Sequence, residues 1–225
     1  MTTRVLIADD QPLIRAGLVA LFTAAPGFTV AGEAADGEQA VALAAETRPD
    51  VILMDVRMPV LDGIAATRDI LAGDADPMPR VIVLTTFDLP EYVYTALSEG
   101  ASGFLLKDTP PDRIISAVRA IAAGDILLAP AITHRLIETY ADQHRATSLT
   151  RSRLSELTAR ETEILRFVAY GLTNQEIAGR LVLSEATVKT HVKRLMAKLA
   201  LNSRAQAVVV AYESGLVTPR SDRDL

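Results

Sequence analysis

Residues 5–11 read VLIADDQ: four apolar side chains, Val5 to Ala8, run directly into two adjacent carboxylates, Asp9 and Asp10. A run that short between polar neighbours forms a buried strand and is too brief for a globular helix. Like charges side by side raise each other's pKa, so a fold that keeps both acids has to offset their repulsion. Further apolar runs follow at Phe28–Gly32, Val51–Met54, Val81–Leu84 and Gly103–Leu106. Helix start signals stand between them. Pro12 suits a first turn, Asp36 with Gln39 spells a capping box, and Pro90 opens a segment that closes at Gly100. Thr109 and Asp112 spell another box, with Pro110 in the first turn and a stop at Gly124. Five strand–helix units imply an α/β fold with a parallel sheet covered on both faces.

In open α/β sheets ligands gather at the carboxyl ends of the strands, and the chemistry of this sequence falls on those ends. Asp9 and Asp10 end the first strand, Asp55 the third (VILMDVRMP), Thr85 the fourth (VIVLTTFD) and Lys107 the fifth (GFLLKD). An Asp at a strand end is ordinarily a turn former or cap. Five such residues at the same ends of four strands are a site. Hard oxygen ligands in this number suit Mg²⁺. A carboxylate can also act as a nucleophile and form an aspartyl-phosphate, with an ammonium stabilising the transferred charge.

The chain has 225 residues, enough for two domains, and no cysteine, which excludes disulfides and thiolate metal sites. No stretch reaches the ~18 apolar residues of a membrane span, and the expectation is a soluble cytoplasmic protein. Charge is divided unevenly: residues 1–125 carry a net −9 and residues 126–225 a net +4. A basic second half points toward nucleic acid.

That half is a series of helix starts. Thr158 with Glu161 and Thr173 with Glu176 spell capping boxes, Ser184 caps a third helix, and Ser203 with Gln206 spells a box for a fourth. The interval Leu181–Ser184 is the tight turn of a helix-turn-helix. At 100° per residue, Val188, Val192, Leu195, Met196 and Leu199 share one face of the third helix. The opposite face carries Ala186, Lys189, Thr190, Lys193, Arg194 and Ala197, small and cationic side chains suited to a DNA groove. Ala205 and the run Ala207–Ala211 make the fourth helix apolar around much of its circumference, which predicts a second partner there.

IADDQ, MDVRMPVLDG, LTTFD and GFLLKD resemble the receiver domain of two-component response regulators, and GLTNQEIAGRLVLSEATVKTHVKRLMAKL resembles the LuxR-type helix-turn-helix of NarL/FixJ-family regulators. The resemblance implies a flavodoxin-like receiver over 1–125 and an all-α, four-helix DNA-binding domain over 154–217. A linker with a short amphipathic helix (Ile132, Leu136, Ile137, Tyr140) fills 126–153, and 218–225 form a tail. It further implies a phosphoacceptor at Asp55, Mg²⁺ on Asp9, Asp10, Asp55 and the carbonyl of Arg57, and a switch at Thr85 and Phe104. Lys189, Thr190, Lys193 and Arg194 would contact operator DNA. The expected partners are a sensor histidine kinase, double-stranded DNA and, on phosphorylation, a second copy of the chain, which the resemblance places on the fourth helix with Val208 and Val209 as dimerisation residues. Leu61 and Thr86 depart from the family pattern, and Gln175 stands where Lys is common. Two rival readings fit less well: an aspartyl phosphatase, because such enzymes carry Asp-x-Asp after strand one where this chain has adjacent acids, and a ligand-regulated DNA-binding protein with an unphosphorylated front domain, against which the complete acid, Thr and Lys set argues.

Overall fold

The computed structural model describes residues 2–85, 90–123 and 154–217, which fall into two compact units dividing near residue 127. The amphipathic helix and linker expected over 126–153, the tail from 218, Gly124 and Thr86 lie outside the described residues.

The first unit alternates strand and helix: β1 Thr3–Ala8, α1 Pro12–Ala24, β2 Phe28–Ala34, α2 Gly37–Thr47, β3 Val51–Asp55, α3 Gly63–Leu71, β4 Arg80–Thr85, α4 Pro90–Ser98, β5 Gly103–Leu106 and α5 Pro111–Ala122. All pairings are parallel, in the order β2-β1-β3-β4-β5. The order reverses direction at β1 and β3, so their carboxyl ends form the crevice where ligands collect. Strands buried on both faces explain the unbroken apolar runs. Val5, Ile7, Val51, Leu53, Ile82, Leu84 and Leu105 pack with Leu18 and Phe22 of α1 and with Ile114, Val118 and Ile121 of α5. Leu6, Ala8, Ile52, Met54 and Val81 face α2 and α3 through Ala40, Ala44, Ala66 and Ile70.

Helix starts follow the expected chemistry with two corrections. Pro12 opens α1, and the Asp36 carboxylate accepts from the Gln39 amide. The Gln39 side chain, however, takes the Ala35 N–H rather than that of Asp36, so only half of a capping box forms. At α5 the Thr109–Asp112 box does not form at all. Pro111 is the first helical residue and Pro110 is the cap. A proline holds the residue before it extended, which shifts the start one position and leaves Thr109 outside. One helix lacked an expected start signal: α3, capped by Asp62, whose carboxylate accepts from the Ile64 and Ala65 amides.

The second unit holds four helices: α6 Ala159–Ala169, α7 Asn174–Leu181, α8 Glu185–Leu199 and α9 Arg204–Glu213. The Thr158–Glu161 and Thr173–Glu176 boxes both form in full, and the Ser184 hydroxyl caps α8 through the Thr187 amide. Ser203 caps α9, but Gln206 bonds the Asn202 N–H, again half a box. The buried face of α8 is Val188, Val192, Leu195 and Leu199, as its periodicity requires.

The α7–α8 turn runs through Val182, which has left-handed backbone angles (φ 54°, ψ 49°) and is 90 % exposed. A β-branched residue there is strained, and the conformation favours Gly or Asn. Val182 buries nothing in return. Val182→Asn should therefore raise the unfolding free energy of this unit by about 0.5–1 kcal/mol, measured by denaturant titration; a loss of stability would show that the side chain makes a contact in solution.

Candidate functional site

The acidic site is built by three strand ends and one lysine. β1 and β3 are neighbours, so Asp9 and Asp55 emerge side by side, and one oxygen from each of Asp9, Asp10 and Asp55 lies within 4.8 Å of the others. Lys107, directly after β5, reaches across to both strands. Its Nζ is 2.8 Å from Asp9 Oδ2 and 2.9 Å from Asp55 Oδ2. Its backbone N–H donates to the Thr85 carbonyl at 2.8 Å, which ties the lysine to the end of β4. The sequence-derived cluster of Asp9, Asp10, Asp55, Thr85 and Lys107 is thus gathered at one edge.

Local chemistry fixes each member. Asp9 is fully buried; its Oδ1 accepts from the Gln11 amide at 2.9 Å, and its own N–H donates to Ala34 O at 3.1 Å. Oδ2 of Asp9 has the Lys107 ammonium as its partner. Asp10 is the solvent-facing acid. Asp55 is buried beside Gly63, whose N–H donates to Val56 O at 2.9 Å. A Cβ on Gly63 would overlap the Asp55 carbonyl oxygen, so only glycine lets α3 begin this close to the site. Arg57 and Pro59 lie in the loop between them. Thr85 is buried at the end of β4. Phe104 pairs in register with Val83, and Leu106 with Thr85, so Phe104 and Thr85 share a sheet face. Phe104 is half-buried.

The electrostatics are under-compensated. Burial pushes the Asp55 carboxyl above the usual carboxylate range; Lys107 opposes this, and Asp9 and Asp10 add to it by repulsion. Burial alone would depress the Lys107 ammonium, but the two carboxylates outweigh it and hold the group protonated.

The cationic face of α8 is exposed at Glu185, Ala186, Lys189, Thr190, Lys193, Arg194 and Ala197. Lys189 is ion-paired along the helix to Glu185 at 2.7 Å, and Thr190 donates to the Ala186 carbonyl at 2.9 Å. Lys193 and Arg194 make no ion pair among the described residues. The expected self-association face on α9 is corrected here: Val208 and Val209 are each 3 % exposed. Neither side chain is open to solvent.

Comparison with known proteins gives the context. Residues 5–119 match the Response regulator receiver domain family, and residues 155–211 match Bacterial regulatory proteins, luxR family. The chain is 46 % identical over 216 residues to the transcriptional regulatory protein YxjL of Bacillus subtilis (strain 168), covering 95 % of this chain and 97 % of that one. It is 40 % identical over 210 residues to the nitrate/nitrite response regulator protein NarL of Escherichia coli (strain K12), covering 93 % and 94 %. Among solved structures, the response regulator ChrA of a heme-sensing two-component system matches with TM-score 0.51 and 34 % identity, covering 96 % and 99 %. The two-component response regulator RcsB–DNA complex matches with TM-score 0.55 and 25 % identity, covering 95 % and 100 %. The chain belongs to the two-component response regulators.

In this response regulator a receiver domain precedes a LuxR-type helix-turn-helix, and the family is one of DNA-binding transcriptional regulators rather than enzymes. No described helix is long and apolar enough to cross a membrane.

Two structural residues of the site were not singled out from the sequence. Arg15 lies five residues beyond Asp10, and its Nη1 donates to the Asp9 carbonyl at 2.6 Å. Lys198 donates to Glu161 Oε2 at 2.7 Å and to the Glu156 carbonyl at 3.2 Å, tying the far end of α8 to the start of α6. Nothing in local spacing marks either partner, because the contacts span separate elements.

The repulsion has a measurable sign. A carboxyl whose folded pKa is raised withdraws stability as pH climbs above the ordinary aspartate range. In chelator-treated protein at pH 7, Asp55→Asn should therefore raise the melting temperature of the receiver by a few degrees. The gain should vanish as pH falls below ~3.9, where the carboxyl of the unfolded chain is protonated too. A variant that melts lower at pH 7 would mean that Lys107 outweighs burial.

Proposed function

We propose that Asp55 accepts a phosphoryl group from a sensor histidine kinase, and that this promotes dimerisation and operator binding by the C-terminal domain of a cytoplasmic regulator. The observation that carries the reading is Lys107 suspended between Asp9 and Asp55, with Asp10 in the same cluster. Three carboxylates against one ammonium leave about two negative charges, which suits a hard divalent cation. Asp9, Asp10, Asp55 and the carbonyl of Arg57 would hold Mg²⁺, which when bound supplies positive charge against the oxygens of a phosphoryl group.

The remaining work falls to the chain. A carboxylate oxygen of Asp55 attacks phosphorus, the bond from phosphorus to the donor's imidazole nitrogen breaks, and the electron pair leaves with the imidazole. Lys107 then exchanges its contact with Asp55 for one with the phosphoryl oxygens. Thr85, on the neighbouring strand end, follows the new acceptor, and Phe104 on the same face moves with it. Burial of Asp55 keeps water from the acyl phosphate. Phosphoryl incorporation from acetyl phosphate should require Mg²⁺ and should be lost in Asp55→Asn; labelling undiminished in that variant, or in excess chelator, would refute the assignment.

On the DNA side, Lys189, Thr190, Lys193 and Arg194 would enter the major groove, with α8 as recognition helix. Pairing of two chains raises the effective concentration of the second domain at its half-site. With beryllofluoride as phosphoryl mimic, sedimentation should show dimers under the conditions that tighten operator binding. Lys193→Ala should cost about 1–3 kcal/mol at one base position if it reads a base. A phosphate contact would instead weaken all sequences alike and lower the salt slope. Unchanged binding to both specific and random DNA would exclude this face of α8.

A further inference from the structure

Arg15 stands apart from the residues used so far. It lies one turn inside α1, and its side chain is largely buried, at 19 % exposure. Its Nη1 donates to the backbone carbonyl of Asp9 at 2.6 Å, and its Nε lies 3.7 Å from Glu33 Oε2 on β2. That carbonyl belongs to the peptide joining Asp9 to Asp10. β1 ends at Ala8, and Asp9 uses its N–H on Ala34 of β2, so the sheet still holds the near side of the residue. The plane of the following peptide sets the direction in which Asp10 leaves the strand, and Arg15 is the donor that holds it.

We propose that Arg15 is a positioning residue: its bond to the Asp9 carbonyl fixes the Asp9–Asp10 peptide so that both carboxylates and Asp55 converge on one divalent cation. A charge-assisted hydrogen bond to a backbone carbonyl is short and directional, which suits holding a peptide plane. A guanidinium so near an acidic cluster would also compete as a counter-ion. Glu33 opposes that competition by taking up part of its charge, so Arg15 acts on geometry more than on the electrostatics of the acids. Partners one step removed from a metal typically account for 10–100-fold in affinity.

The inference rests on the metal reading above, and the test separates the two. Mg²⁺ is titrated calorimetrically into the full chain, at a temperature where every variant is folded. Arg15→Ala should weaken Mg²⁺ binding about tenfold, and Arg15→Lys should recover part of the loss, because an ammonium can still donate to one carbonyl. A merely structural role would lower the melting temperature and leave the dissociation constant in place. Arg15→Ala binding within twofold of the parent would overturn the proposal while leaving the acidic site intact. So would a Lys variant as weak as the Ala variant. A parent chain that binds no Mg²⁺ would overturn the metal reading and this one with it. Normal Mg²⁺ binding without phosphoryl incorporation would overturn only the assignment of Asp55, and the Arg15 comparison would stand.

Discussion

One ammonium stretched between two buried carboxylates is the constraint on which the first domain depends. Lys107 can reach Asp9 and Asp55 at 2.8 and 2.9 Å only because β1, β3 and β4 are successive neighbours, with β5 at the edge supplying the lysine. A different strand order would leave at least one of these charges buried alone, at a cost of several kcal/mol. Much else serves the same edge. Gly63 lets α3 start against the Asp55 carbonyl, Asp62 caps that helix, and the Lys107 amide is pinned to the end of β4. The site is held by the backbone of four elements.

The strands and the acid cluster were legible because both follow from patterns local in sequence. A four-residue apolar run ending in a carboxylate reads the same in every context, and parallel topology sends all such ends to one edge. Capping boxes were legible for a related reason, since Thr158–Glu161 and Thr173–Glu176 close within a single turn. Proline broke the pattern at α5: the box spelled by Thr109 and Asp112 yields to the stronger rule that Pro111 imposes on Pro110. The turn at Val182 was placed correctly, yet its left-handed backbone was hidden, because the residue that stands there is not one that signals it.

What stayed hidden has a common cause. Arg15 on the Asp9 carbonyl and Lys198 on Glu161 join residues whose spacing in the chain carries no information. The surroundings of α9 are hidden for the same reason. Apolar residues around a whole helix mean that every side is covered, but composition cannot say by what. Val208 and Val209 are each buried, and periodicity alone does not name their neighbours.

The two domains use the same chemical pair to opposite ends. Glu161, like Asp55, is a buried carboxylate facing a lysine, and burial pushes both upward. Glu161 nevertheless falls to about 2, because Lys198 and the Thr158 amide and hydroxyl all converge on it. Asp55 stays above its ordinary range, because burial outweighs the one lysine that it shares with Asp9, and two like charges add to the shift. By linkage, Glu161 contributes stability that is complete above the ordinary glutamate range and is lost only as pH falls through about 2. It is a fastening: it ties the last turn of α8 to the start of α6. Asp55 is left in a cluster with excess negative charge, the condition in which a carboxylate gains from an added cation. Two acids that each face a lysine thus shift in opposite directions, according to how strongly each is desolvated and how many donors it has to itself.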